Sequence, residues 1–283
     1  MKRNLIFIIL ALASTSAITQ VEAANRWSMT RDNHDCVANC ADIDSNNWTN
    51  YGDTVTFAST LGTPTTDVDV SAWSNGTGQS GTSGALSGAR MKLYNGGLGA
   101  HTSGEDYYTP DNAIDNSDGF ETILLDFGPD HEVSLNEICI GYGSDEGHDT
   151  DMSIAAFTGN GPVDLNGASY DTLLNNGWTD VAQLSNLQNF NMYNFNSGGI
   201  KSRYWLVGAY NPALDSNSMG WSSGNDFFKL EFVGGDVFDC PPGSTQNGCG
   251  GNGGPGGDVP VPGSLFLMGI GLLATGASRR SRK

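Results

Sequence analysis

Short β-prone runs alternate with turn-forming clusters along most of this 283-residue chain. Valine, isoleucine, threonine and aromatic residues fill the runs, and no long stretch between the two ends has the 3.6-residue period of an amphipathic helix. Polar and apolar residues alternate in 69–73 and in 229–232, as in strands that bury one face. The pattern predicts an all-β fold built as a single β-sandwich. The predicted strands are 54–59, 68–73, 89–94, 121–127, 133–142, 152–157, 204–209 and 227–233, with a helical turn within 171–187.

Residues 1–23 have the composition of a secretory signal peptide. Lys2 and Arg3 precede an apolar run over 5–12, and small residues then lead to Ala23, where cleavage is expected. We therefore expect export through the Sec translocon and removal of this segment by signal peptidase. The sequence then predicts a β-sandwich domain over 24–239 and a Gly/Pro-rich spacer over 240–258.

The last 25 residues combine a proline-rich entry, one apolar stretch and a basic end. Basic residues stay on the cytoplasmic side of a bilayer, so a transmembrane helix over 264–278 would leave the body outside. From 262 to 278 a helix covers about 25 Å, against about 30 Å of hydrocarbon. Such a short helix is typical of a signal that is read and then removed. The residues that define this segment, 259–283, are Val259, Pro260, Val261, Pro262, Arg279 and Arg280.

This arrangement resembles the PEP-CTERM sorting signal, which is recognised in Gram-negative bacteria by an exosortase, a membrane transpeptidase. Val261 stands where the commonest form of the motif has glutamate. An ordinary tail anchor is the alternative. The resemblance implies an inner-membrane intermediate, processing near the proline pair, and delivery to the cell surface or the extracellular matrix.

Parts of the body also resemble segments that recur in exosortase-dependent surface proteins. The alternation of these segments is similar to galactose-binding-like (discoidin-type) jelly rolls, a likeness of fold that carries no function by itself. The segments are 94–99, 110–116, 121–127, 138–152, 202–208 and 224–230.

The charge of the chain excludes two classes of partner. The net charge is −18 at pH 7, and six of the 13 basic residues lie in the two predicted targeting ends, so the body is more acidic still. Such a body repels nucleic acid and anionic lipid. The same charge keeps a protein soluble outside the cell and can attract divalent cations.

Five cysteines in an exported chain predict disulfides and at least one remaining thiol. Cys240 and Cys249 flank a turn-rich loop and are expected to pair locally. Cys36 can pair with Cys40, or one of them can pair with Cys139. Since Cys139 lies in an apolar strand-like run, it is the thiol expected to stay buried.

The densest polar cluster, which precedes the predicted strand at 121, is a candidate calcium site. Asp111, Asp115, Asp118 and Glu121 supply the hard oxygen ligands that Ca²⁺ prefers, although their spacing is not that of an EF-hand. The alternative is a polar turn whose side chains cap their own backbone. Another acidic segment, 145–151, is interpreted as a solvated loop, with metal binding as the alternative.

The sequence shows no nucleophile–base motif, phosphate-binding loop or zincin motif, so we expect a protein that is not an enzyme. The leading hypothesis is a non-enzymatic protein of the cell surface or matrix. The alternative is a carbohydrate-binding module for surface or matrix polysaccharide, with Trp48, Trp178 and Trp221 as surface candidates, although core or rim packing is expected for each. An exported hydrolase is the third and weakest hypothesis.

Overall fold

The computed structural model describes residues 25–34, 36–38, 47–62, 64–76, 78, 81–105, 110–143 and 148–249. The predicted signal peptide, Cys40 and the sorting segment lie outside these residues. Two antiparallel sheets, each of eight strands, account for most of the regular secondary structure that is described, which confirms the all-β prediction. Within the described ranges, no helix is long and apolar enough to cross a membrane.

The strands follow one another along the chain with few helical residues between them. They are β1 (Asn25–Thr30), β2 (Asn33–His34), β3 (Cys36–Ala38), β4 (Thr54–Phe57), β5 (Val68–Ser74), β6 (Ser87–Gly88), β7 (Arg90–Tyr94), β8 (Gly97–His101), β9 (Ile114–Asp115), β10 (Glu121–Asp126), β11 (His131–Gly143), β12 (Met152–Phe157), β13 (Trp178–Leu184), β14 (Met192–Asn194), β15 (Tyr204–Ala209) and β16 (Phe227–Asp239). One helical turn, α1 (Tyr170–Leu173), leads into a 3₁₀ turn over Leu174–Asn176, and a second 3₁₀ turn covers Pro212–Leu214.

Strand β16 organises the first sheet. It pairs with β11 along its whole length, and on its other edge it pairs with β9 and β8 near its start and with β1 further on. Strands β14 and β2 form the two ends of the sheet, and β7 pairs with β8. The start of β16 therefore lies beside β9 and the end of β11, where Phe228 pairs with both Ile114 and Gly143.

The second sheet has the order β13-β12-β15-β10-β5-β4-β3, with β6 beside β5. Its central strands are apolar throughout because both of their faces are buried. Ile123 and Leu125 of β10 belong to the core between the two sheets, whereas Leu124 belongs to a second cluster on the outer face, together with Tyr170 of α1. The outer cluster explains why these strands lack the polar alternation of a half-exposed sheet.

Each of the eight predicted strands coincides with a strand of the structure, β4, β5, β7, β10, β11, β12, β15 and β16 in turn. The helical turn expected within 171–187 is present as α1 and its 3₁₀ extension. The second half of that range is instead strand β13, which forms because Trp178–Leu184 pairs with β12 along the edge of the second sheet.

The cysteines follow the predicted pattern where they are described. Cys240 and Cys249 form a disulfide, and Cys139 is a buried free thiol. Cys36 is disulfide-bonded as well; of its two possible partners, Cys139 is a free thiol and Cys40 lies outside the described residues. The loop closed by Cys240 and Cys249 packs against the sandwich, with Cys249 fully buried.

Candidate functional site

Loops from both sheets meet at one end of the sandwich around the side chain of Asn116, which is 3% exposed. Its Nδ2 donates to the carbonyl oxygen of Tyr210 at 2.8 Å and to Oδ2 of Asp226 at 2.7 Å. Its Oδ1 accepts from the backbone N–H groups of Gly224 and Asp226, both at 2.9 Å. Asn116 therefore joins the β9–β10 turn to the long connection between β15 and β16.

On one side of Asn116 lies the first acidic cluster, which we define as Glu105, Asp111, Asp115, Asp118 and Glu121. Asp115 ends β9 and Glu121 begins β10, and each is 1% exposed. Oε2 of Glu121 accepts from the backbone N–H of Asp115 at 3.4 Å, and the charge of Asp115 raises the pKa of Glu121. The structure thus brings together two of the four residues predicted as calcium ligands.

The remaining members of the first acidic cluster lie around this pair. Asp111 is half-buried and Asp118 is exposed, and both raise the pKa of Asp115 by charge repulsion. Oδ1 of Asp115 accepts from the N–H and Oγ of Ser117, both at 2.8 Å, so part of the self-capping turn that was the alternative is also present. Its Oδ2 is buried and has no hydrogen-bond partner.

Glu105 belongs to the first acidic cluster and was not predicted from the sequence. Its Oε2 accepts from the N–H of Thr102 at 2.7 Å, while its Oε1 is buried without a partner. Burial, together with repulsion from neighbouring carboxylates, raises the pKa of Glu105 to about 8 and that of Asp115 to about 7, and it raises the pKa of Glu121 well above its ordinary value.

On the other side of Asn116 lies the second acidic cluster, Asp149, Asp151 and Asp226. One carboxylate oxygen from each lies within 4.8 Å of the other two. The interpretation of 145–151 as a solvated loop is wrong for Asp151, which is 4% exposed. Asp151 is buried because its N–H donates to Asp226 and its carbonyl oxygen accepts from the N–H of Tyr210.

Asp226 is fully buried. Burial, together with the facing carboxyl group of Asp149, raises its pKa to about 8, against the donors Asn116 and Asp151 N–H, which lower it. The folded domain therefore keeps this proton at neutral pH, where an unfolded chain has released it. Stability should fall as pH rises from about 4 toward 8, since the unfolded state then binds fewer protons.

The variant Asp149→Asn should flatten this pH dependence. An amide at 149 can donate to the Asp226 carboxylate, so the pair no longer needs a proton between its members. We expect the variant to gain roughly 1–2 kcal/mol over the wild type at pH 8.5, about one pKa unit at 1.36 kcal/mol, and nothing near pH 4. Urea unfolding across this pH range in EDTA measures the difference.

The exposed residue Asp164 supplies the control for this prediction. Asp164→Asn should leave the pH profile of stability unchanged. The carboxyl groups of the first acidic cluster, whose pKa values are also raised, contribute equally to the variants and to the wild type. Equal profiles for Asp149→Asn and wild type would contradict the assignment of a shared proton to Asp149 and Asp226.

The three tryptophans considered as surface candidates pack as expected, in the core or at its rim. Trp178 is 4% exposed and contacts the ring of Phe157. Trp48 is partly exposed against Tyr94 and His101, and Trp221 is partly exposed against Tyr210. Trp178 is therefore unavailable as a sugar-stacking platform.

An open polar groove lies elsewhere on the sandwich, near the start of β11 and the second half of β10. Threonine hydroxyls and aspartate carboxylates supply most of its polar groups. The lining includes Thr56, Thr65, Asp67, Asp69, Asp126 and Asp130.

Comparison with known protein families matches residues 258–283 to the PEP-CTERM protein-sorting motif. The match confirms the sorting signal predicted at 259–283. No curated protein and no solved structure matches the chain.

Proposed function

Because the chain carries the PEP-CTERM sorting motif and is therefore an exosortase-sorted exported protein, we propose that it is a non-enzymatic protein of the cell surface or extracellular matrix of a Gram-negative bacterium. The observation that carries this proposal is the motif at 258–283, which follows an acidic β-sandwich. In this proposal the body is exported through the Sec translocon, held at the inner membrane by the C-terminal helix, and released by exosortase near Pro260 and Pro262.

The arrangement of the carboxyl groups supports a non-enzymatic body. Asp115, Glu121 and Asp226, three of the four carboxyl groups whose pKa values are raised most, are at most 1% exposed beneath the loops at one end of the sandwich. A substrate cannot approach groups that are covered in this way, whereas a catalytic acid or base must reach the proton that it transfers. Their contacts are those of residues that hold loops in place.

The disulfide supports export. Disulfides persist in oxidising compartments and are rare in the cytosol, and Cys240–Cys249 closes the loop that ends the described body. Arg203 N–H donates to Asn247 at 2.9 Å, and Asn247 Nδ2 donates to Glu132 at 3.0 Å, so this loop is fastened to the sandwich. The described residues end at 249, and the matched motif begins at 258.

Deletion of residues 265–283 tests the sorting proposal. The truncated protein should keep the thermal unfolding midpoint of the body and should be lost from the cell-surface fraction, because the motif no longer holds it for exosortase. Cell fractionation with an antibody against the body measures this loss. A matched variant, Pro260→Ala with Pro262→Ala, keeps the apolar stretch and basic end but should also reduce surface delivery.

Unchanged surface display of both variants would contradict the sorting proposal. Surface display lost only on deletion, with the proline variant delivered normally, would favour the ordinary tail anchor.

A carbohydrate-binding module is the second candidate function. Its β-sandwich would be a jelly roll of the galactose-binding-like type. The observation in its favour is the open groove near β11, since hydroxyl and carboxylate groups hydrogen-bond to sugar hydroxyls. A pull-down with acidic and neutral polysaccharides tests it. Retention that is lost in Asp67→Ala would support the module, and no retention by any polymer would contradict it.

A further inference from the structure

Three carboxylate oxygens of the first acidic cluster are buried and have no hydrogen-bond partner among the described residues. They are Oδ2 of Asp115, Oε1 of Glu121 and Oε1 of Glu105. Asp115 and Glu121 are each only 1% exposed as whole residues. A buried acceptor without a donor is costly, and a charged one more so, and such groups are usually found against a counter-ion or metal.

In the described residues, no cation forms an ion pair with these three carboxyl groups. The charges that act on the three carboxyl groups come from other members of the same cluster, and all are negative. Lys229 contacts other groups. Its Nζ donates to Oδ1 of Asn112 at 2.9 Å and lies 4.4 Å from the ring centres of both Tyr94 and Tyr142. Burial alone lowers the pKa of Lys229 to about 8, and no carboxylate raises it.

We propose that the first acidic cluster binds one Ca²⁺ ion through the carboxylates of Asp115, Glu121 and Glu105. Ca²⁺ takes six to eight oxygen ligands at 2.3–2.6 Å in flexible geometry and accepts water and backbone oxygens among them. Transition metals favour imidazole or thiolate ligands, and the cluster offers only oxygens. Asp111 and Asp118 lie at its rim and add to its negative potential.

The carboxylates of this cluster are more widely separated than those of the second acidic cluster. In the described residues, Asp149, Asp151 and Asp226 are the group whose three carboxylate oxygens approach within 4.8 Å of one another, and the carboxylates of the first acidic cluster do not form such a group. They would therefore contact one ion only after a small movement or with a water between one carboxylate and the ion. The flexible geometry of Ca²⁺ tolerates this better than the near-ideal octahedral geometry at 2.0–2.1 Å that Mg²⁺ requires.

The ion would connect the two sheets of the sandwich. Glu105 follows β8 and Asp115 ends β9, and both strands belong to the first sheet, whereas Glu121 begins β10 of the second sheet. An ion held between these segments binds the folded domain and not the unfolded chain, so it stabilises the fold by linkage. Extracellular modules bind Ca²⁺ with dissociation constants of about 10⁻⁴–10⁻³ M. At an affinity of this order, the domain would bind its Ca²⁺ ion after export.

Thermal unfolding of the full-length protein tests the proposal. The wild type is compared at pH 7.5 in EDTA, in 10 mM CaCl₂ and in 10 mM MgCl₂, and isothermal titration with CaCl₂ counts the ions bound. We expect the unfolding midpoint to rise by about 3–10 °C in Ca²⁺ and by less in Mg²⁺, with one ion bound per chain. Absence of a calcium-dependent shift in the wild type would overturn the proposal.

Matched variants locate the ion. Glu121→Gln and Glu105→Gln keep the size of each side chain and remove its charge, so both should lose most of the calcium-dependent shift. Because Glu105 lies nearer the surface, its variant is the safer test if Glu121→Gln folds poorly. Asp149→Asn, in the second acidic cluster, should keep the full shift. Loss of the shift in Asp149→Asn alone would place the ion in the second acidic cluster and overturn this assignment.

Discussion

Replacing Asn116 with alanine is expected to lower the free energy of unfolding by about 3–4 kcal/mol. The substitution removes four hydrogen bonds from a side chain that is 3% exposed, at about 1 kcal/mol each. It also leaves buried partners without a donor or acceptor, namely Oδ2 and the N–H of Asp226. Losses of this size arise when a buried hydrogen-bond network is broken.

Urea unfolding of the variant and the wild type measures this loss. Asn166→Ala is the matched control, because Asn166 is exposed and its substitution should change stability by no more than about 0.5 kcal/mol. A loss below about 1 kcal/mol in Asn116→Ala would show that the loops at this end of the sandwich do not depend on Asn116.

Replacing Arg203 with methionine should cost about 3 kcal/mol and should expose the disulfide loop. The guanidinium is largely buried, and its Nε and Nη2 donate to the two carboxylate oxygens of Asp126 at 2.6 and 2.8 Å. Methionine keeps the apolar stem of the side chain but leaves Asp126 without its cation, which is costly for a pair this buried. Nη1 of Arg203 also donates to the carbonyl oxygen of Gly248 at 3.5 Å, inside the loop closed by Cys240–Cys249.

A double-mutant cycle with Asp126→Asn isolates the contribution of this pair. We expect a coupling energy of at least about 1.5 kcal/mol between the two positions and faster reduction of the disulfide in Arg203→Met. A coupling energy near zero, with an unchanged reduction rate, would show that the loop is held by its other contacts alone.

The strands were predictable because their sequence pattern is local. Asp69 and Trp73 lie on a strand whose alternation is visible without the structure, and β10 and β15 are marked by continuous apolar runs. The outer cluster that buries the second face of these strands was not predictable, since it depends on where α1 returns to the sheet. Strand β13 was not predicted from the sequence because it is rich in polar residues. It lies at the edge of the second sheet and is a strand because it pairs with β12.

The site was only partly predictable because its contacts join distant parts of the chain. Asp115 and Glu121 are six residues apart and were found by density of acidic residues. Asp226 lies 110 residues from Asn116, and no local signal connects them. Glu105 is similar: it is one acidic residue in a polar stretch, and only the packing of β8 against β9 brings it into the first acidic cluster.

The sorting motif and the body carry separate kinds of information. The motif acts as a short linear signal, so its residues could be identified without any knowledge of the fold. The body has no matching solved structure, and its buried acidic clusters come from the fold itself. Stability and ion binding therefore test the body, whereas processing of the C-terminus tests the function that we propose.

Mass spectrometry of the C-terminal peptide, from protein isolated at the cell surface, tests the central claim most directly. Exosortase processing predicts a new C-terminus close to Pro260–Pro262 and the loss of every residue from Leu265 onward. A surface protein that still ends in Lys283 would contradict the account, because the sorting helix would then have remained attached.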